Sequence, residues 1–301
     1  MKKRSLKIIA MIIVMCFIVG CMPVSADTNI ETNTPATTIK INEYEEITEL
    51  QKNTAEELQA KGYSEQEAEE ILSFSYRDAL LERANLPESS LRAKGYNETQ
   101  IAFMKEFAKD PNGNYNFSVM AIDLTTRSFT LIAGASSSRT KTVRYNWKWS
   151  TMPLMAFQDS VAMRWQAYNR NGLSIDSTCY NVANSRYGSV NYFNDYGLAK
   201  TESLEMISYS GFDCMRANFK MSKTYNGDII WAKSGSITCK IELSSPDSSM
   251  DHMKVQATYG HATMQFSLGI SFPAAFGVSF STFCTNYYRT AEIRSSITYL
   301  D

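Results

Sequence analysis

The sequence predicts an α+β protein, a small N-terminal helical-hairpin module followed by an antiparallel β-sandwich or open β-barrel domain. Three observations carry that reading. Residues 41–110 are rich in Glu, Ala, Leu and Gln and poor in Gly, a helical composition. From residue 111 onward apolar and polar side chains alternate with period two, run after run, as half-buried antiparallel strands do. Asn171-Gly172 and Asn226-Gly227 sit between such runs, and Asn-Gly is the strongest short hairpin signal.

The 301 residues, 44% apolar and 20% charged, are ordinary globular composition. A net charge of −1 argues against a general nucleic-acid binder.

Residues 1–26 read as a secretory signal peptide. Lys2, Lys3, Arg4 and Lys7 form a basic start, Ile8 to Gly20 is apolar and uncharged, and Val24-Ser25-Ala26 supplies small residues for cleavage between Ala26 and Asp27. The apolar run is short for a membrane span, and no later stretch is long enough, so no transmembrane segment is expected after cleavage. The competing reading takes Ile18-Val19-Gly20-Cys21 as a lipobox, with Cys21 lipidated at the outer face of the membrane. Pro23 and the Val-Ser-Ala sequence favour release, so the expected location is secreted. Cleavage leaves Cys179, Cys214, Cys239 and Cys284 as possible disulfide cysteines, with three full pairings open.

Residues 27–40, Thr- and Asn-rich, read as a flexible leader. Residues 41–110 carry 16 acidic and 8 basic side chains. A repeat is visible within them. Leu58-Gln59-Ala60-Lys61-Gly62-Tyr63-Ser64-Glu65 returns as Leu91-Arg92-Ala93-Lys94-Gly95-Tyr96-Asn97-Glu98. Each copy reads as a helix ending in Lys, a left-handed Gly, a Tyr that packs back, and a capping box from Ser64 to Glu67 or Asn97 to Gln100. Two such helix-Gly-Tyr-helix units, separated at Pro87, make a packing module; two copies are too few for a solenoid. Asp110-Pro111-Asn112-Gly113-Asn114 marks the boundary. With Asn116 it loosely resembles a calcium loop, but Gly comes early and the closing Glu is missing, so it reads as a linker.

Residues 111–301, with 17 basic and 13 acidic side chains, read as an antiparallel domain of about ten strands. Trp147 and Trp149 lie on the apolar phase of one run, which suits core tryptophans. As exposed aromatics they would instead make a sugar-stacking platform. Tyr180, Tyr187, Tyr192 and Tyr196 crowd a stretch without clean alternation, the best candidate binding loop. The uncharged Ser/Thr-rich run Ala262–Ser281 fits a membrane-inserting hairpin or, more simply, a sandwich hairpin.

Candidate chemistry is sparse. His252 and His261 are the only histidines and fall at expected strand ends, as turn or surface residues; they lack metal-ligand spacing. A Cys–His couple has only composition behind it. A carboxylate pair drawn from Asp123, Asp159, Asp176, Asp195, Asp213, Asp228 and Asp251 would suit glycoside cleavage, though scattered Asp in a β-domain usually makes turns. No catalytic residue, metal site or cofactor is assigned. The expectation is therefore a secreted bacterial protein whose β-domain binds a cell-wall, glycan or protein ligand without turnover. The alternative is an exported pro-protein whose acidic helices are removed to release a β-rich effector, pore-forming or bacteriocin-like. A hydrolase ranks last.

Overall fold

The computed structural model describes residues 37–132, 139–175, 177–179, 186–209, 213–245, 247–262, 270–271, 279–280, 285–293 and 297–300. They form six α-helices and two main antiparallel sheets, a mixed α+β fold with a β-sandwich-like domain. Residues 1–26 and the candidates Tyr180, Asp176 and Cys284 lie outside the described residues, as does most of Ala262–Ser281.

The larger sheet runs β1 (Thr37–Ile41), β2 (Ile122–Leu131), β3 (Thr140–Trp149), β12 (Asp228–Leu243), β7 (Arg186–Asn194) and β8 (Gly197–Ser203). Short strands β6 (Ser177–Cys179) and β11 (Ser222–Tyr225) also pair with β12. The second sheet runs β17 (Ile297–Tyr299), β16 (Thr285–Ile293), β13 (His252–His261), β4 (Gln158–Tyr168), β10 (Cys214–Lys220) and β9 (Ile207–Tyr209), with β5 (Ser174–Ile175) added to β4. A third pair joins β14 (Ile270–Ser271) to β15 (Ser279–Phe280). Thr37–Lys40, the last residues of the expected leader, are strand: β1 pairs with β2 from Thr37↔Thr126 to Ile41↔Ile122. The reason is local. Ile39 and Ile41 alternate with polar neighbours, and Ile41 is buried in the sandwich core.

The two sheets meet through aromatic side chains. Trp147 on β3 stacks on Phe219 of β10 at 5.5 Å, and Tyr259 of β13 closes on both rings. Opposite Trp147 in the register stands Gly235. A Cβ there would lie 2.2 Å from the indole and 2.6 Å from Ser189 O, so the large ring is accommodated by a missing side chain. Gly235→Ala should therefore cost about 1–3 kcal/mol by overpacking, read as a lower urea midpoint at unchanged m-value.

The helices are α1 (Glu43–Leu50), α2 (Ala55–Ala60), α3 (Glu65–Ser73), α4 (Tyr76–Ala84), α5 (Glu88–Ala93) and α6 (Glu98–Lys109). Their starts follow side-chain chemistry. Thr54 with Glu57, Ser64 with Glu67, and Asn97 with Gln100 each form a complete capping box. Their core holds Leu58, Ile71, Leu80, Leu91, Met104 and Phe107, all wholly buried.

The helical module does not stand apart. The β3–β4 loop, residues 150–157, places Met152 in the sandwich core and Met155 in the helical core. Gln100 on α6 donates to Ala121 O at 3.0 Å, and Lys94 pairs with Asp195 in the β7–β8 turn at 2.5 Å. Apolar burial and hydrogen bonds thus run across the boundary at Asp110.

Candidate functional site

Two places in the fold gather chemistry: a buried charge network where helices meet sandwich, and the outer face of the larger sheet.

The network begins with strand phase. Met253, Val255, Ala257 and Tyr259 face the core from β13, and the same phase carries His261 inward. The expectation that both histidines are turn or surface residues is therefore corrected for His261, which is wholly buried. Its Nδ1 lies 3.0 Å from Asp159 Oδ1, so the protonated ring donates to the carboxylate. Asp159, on β4, also accepts from Ala262 N at 3.2 Å and from the Tyr259 hydroxyl at 2.5 Å. Trp149 Nε1 donates to that hydroxyl at 3.0 Å, and its ring packs edge-on against His261 with centroids 5.0 Å apart. On the other side His261 Nε2 stands 3.7 Å from Glu43 Oε1, an ionic contact too long for a hydrogen bond. Glu43, the first residue of α1, accepts from Leu154 N at 2.9 Å and Met155 N at 2.8 Å.

Charge decides what this network is. Burial by itself pushes the imidazolium down, but Asp159 and Glu43 flank it and outweigh burial, holding the His261 pKa up at about 10. The ring is a buried cation between two carboxylates. It has the base and orienter of a hydrolytic couple, but its free edge faces Glu43 rather than a nucleophile, and solvent does not reach it. Its physical role is a clamp that joins α1 to the two central strands of the second sheet. The sign of its pH effect follows. The folded pKa stands above the ordinary value of 6.5, so its stabilisation is complete below about pH 6.5 and is lost as pH rises through about 10. Urea unfolding between those limits should show the native chain losing roughly 4–5 kcal/mol more than His261→Gln does. Parallel pH profiles of the two proteins would overturn the assignment of charge.

Other sequence candidates separate cleanly. His252 begins β13, pairs with Asp251 at 3.0 Å and stacks on Tyr168 at 4.9 Å. The binding reading of Trp147, Trp149 and Tyr192 is corrected. All three are buried side chains of the sandwich core, because each lies on the inward phase of its strand. Tyr192 spends its hydroxyl on Lys220 O at 2.9 Å. Tyr187 and Tyr196 are exposed, the latter 91%. Tyr187 lies near the start of β7 and Tyr196 in the turn beyond its far end, separated by about 24 Å of strand, and they do not form one loop site. Cys214 is a free thiol buried in β10, where burial pushes it up to about 12. That corrects its place among the paired cysteines and makes it an inert core residue rather than a nucleophile. Asp195 and Asp228 serve turns, accepting from Lys94 and from Asn194 respectively. Among the described residues no group of three or more His, Cys, Asp or Glu is placed to hold a metal ion. No helix among them is long and apolar enough to cross a membrane.

The outer face of the larger sheet is a polar surface built on paired strands. The register sets Arg144, Thr238 and Tyr187 side by side on β3, β12 and β7. The next rows set Asn146, Ser236 and Ser189 together, then Lys148, Ser234 and Asn191. Arg144 donates to Thr238 Oγ1 at 3.2 Å and to the Tyr187 hydroxyl at 3.4 Å; Asn191 donates to Ser234 Oγ at 3.2 Å. Hydroxyl, amide and guanidinium groups thus stand about 4.8 Å apart within a row and about 6.8 Å from row to row on a rigid scaffold, with Thr238 itself wholly buried.

No family model and no curated protein matches the chain. Solved structures that it resembles include AvmM, which catalyses macrocyclization in alchivemycin A biosynthesis, at 10% identity over 57% of this chain and 87% of that one, TM-score 0.27. The collagen-binding subdomain of the Enterococcus faecalis surface protein ACE matches at 11% identity over 54% of this chain and 91% of that one, TM-score 0.26. The collagen-binding domain of a Staphylococcus aureus adhesin matches at 6% identity over 55% and 95%, TM-score 0.26.

Proposed function

We propose that this is a non-catalytic extracellular binding protein whose ligand lies on the outer face of the larger sheet. The observation that carries the reading is the row structure of that face. Side chains that donate and accept hydrogen bonds are fixed at strand spacing, with Arg144 and the exposed Tyr187 at one end. Such a surface suits a hydroxyl-bearing polymer of the cell wall or a surface glycan: amides and hydroxyls match sugar hydroxyls, and a tyrosine ring stacks on a pyranose face.

The signal peptide, with cleavage between Ala26 and Asp27, supports export; retention through Cys21 is the alternative. Cys239, which is disulfide-bonded, fits an oxidising location. Intact mass of the secreted chain should start at Asp27 and gain two hydrogens for each disulfide on reduction. The helical module is expected to remain on that species, because its removal would strip Glu43 from the buried His261.

Binding is tested by retention of the purified chain on cell-wall polysaccharide, surface glycans and matrix proteins in parallel. Retention on the polysaccharide or glycan, weakened about tenfold or more by Arg144→Ala with Tyr187→Ala, is the expected result. Retention only on protein would move the ligand class. Retention indifferent to both substitutions would move the site.

A further inference from the structure

The second Gly-Tyr turn holds an extended segment of the chain's own backbone. Lys94 O accepts from Met152 N at 2.8 Å, and Gly95 O accepts from Thr151 Oγ1 at 3.0 Å. The segment approaches so closely that a Cβ on Gly95 would lie 2.1 Å from Ser150 O. The turn therefore offers two carbonyls, one to a hydroxyl and one to the next backbone N–H of an extended segment, while the Met152 side chain packs in the sandwich core.

The first turn is the same object. Lys61 and Lys94 end their helices at φ −80°, ψ −2° and φ −77°, ψ 0°. Gly62 and Gly95 follow at φ 100° and 90°. Tyr63 N returns to Leu58 O at 3.1 Å, and Tyr96 N to Leu91 O at 3.2 Å. The surroundings differ. Lys94 and Gly95 are half-buried under the β3–β4 loop, whereas Lys61 and Gly62 are exposed. Among the described residues neither Lys61 O nor Gly62 O accepts a hydrogen bond. Charge differs too: exposed Glu56, Glu57, Glu65 and Glu69 lie on the two helices that meet at the first turn.

We propose that the first turn, Lys61–Gly62–Tyr63, is a docking site for an extended segment of a partner polypeptide. The segment would carry a Ser or Thr followed by a residue with a free backbone N–H, with Lys or Arg beside them. Its backbone N–H would donate to Lys61 O and its hydroxyl to Gly62 O, repeating the internal pair, while the flanking cations meet the surrounding carboxylates. A second copy of this chain is disfavoured as the occupant, because its own Ser150–Met152 segment is already engaged by its second turn. This surface is independent of the ligand face on the sheet, so either can fail without the other.

The test is a titration of the ¹⁵N-labelled full secreted chain with the peptide Lys-Lys-Ser-Thr-Met-Pro-Leu, followed by amide shifts. Saturable shifts at Gly62, Tyr63 and Ser64, with Kd in the range of about 0.1–2 mM, are expected. Replacing the peptide's Ser-Thr by Ala-Val, or its two Lys by Glu, should weaken binding by about fivefold or more. Gly62→Asn should remain folded, since Asn tolerates a positive φ, and should lose binding by about tenfold or more because its Cβ meets the incoming segment. No shift at the first turn up to about 5 mM would overturn the proposal. So would shifts confined to Gly95 and its neighbours, or peptide variants that bind equally well. Self-association that moves the same amides without peptide would reassign the surface to a second copy.

Discussion

Asp159→Asn is expected to lower unfolding free energy by about 3–5 kcal/mol, the cost of removing one partner of a buried ion pair. The carboxylate accepts three hydrogen bonds, from the His261 ring, the Ala262 amide and the Tyr259 hydroxyl. An amide of the same shape has one acceptor oxygen, and its NH2 would face a donor. Either His261 or Tyr259 then loses its partner in a region closed to water. The loss should come with a second signature. Without Asp159 the imidazolium keeps only the 3.7 Å contact with Glu43, so burial regains ground and the histidine titrates at lower pH. The alkaline loss of stability should shift down from its native window, and a histidine ring followed by NMR should report the same move. A variant of native stability, or one whose alkaline profile is unchanged, would remove the clamp from this account.

The second large effect separates two residues that the sequence presents as equals. Gly95→Ala should destabilise the chain by about 3 kcal/mol or more, while Gly62→Ala should cost about 1 kcal/mol. Both glycines have positive φ, so both substitutions meet the same backbone strain. At Gly95 the new methyl also collides with fixed backbone, at 2.1 Å from Ser150 O and 3.1 Å from Thr151 Cα. Relief would require the β3–β4 loop to move away from the helices. That movement would break the Met152–Lys94 and Thr151–Gly95 hydrogen bonds and lift Met152 and Met155 from their cores. Urea or thermal unfolding of the two variants decides it. Equal losses would mean that the Gly95 contact relaxes at little cost.

Much of the fold was legible because local chemistry and side-chain period set it. The helix starts follow from Thr54, Ser64 and Asn97 with an acceptor three residues on, and the left-handed Gly62 and Gly95 follow from the Lys-Gly-Tyr pattern. The alternation of Met253 through Tyr259 was enough to place β13. Carried one step further, the same alternation turns His261 inward; the Gly260 beside it read as a turn and hid that signal. Trp147 and Trp149 stood on the core phase in the sequence, so their burial rests on the same period-two geometry.

What the sequence by itself determined, then, is what depends on neighbours within a few residues: caps, turns, strand phase, and the division of the chain into helical and β-rich stretches. The tertiary structure alone decided which distant residues meet. Glu43 is one of 16 acidic side chains in its stretch, and nothing local marks it as the partner of a histidine 218 positions later. Asp159 is one of seven candidate aspartates in the sequence, and only the pairing of β4 with β13 brings it to His261. The two Gly-Tyr copies are alike in sequence and backbone, and only the path of the β3–β4 loop makes one an internal clamp and leaves the other exposed. The physical reason is the same in each case. Local propensity is fixed by short-range sterics and hydrogen bonds, whereas a buried charge or a close backbone contact is tolerated only where chain segments far apart in sequence supply the partner.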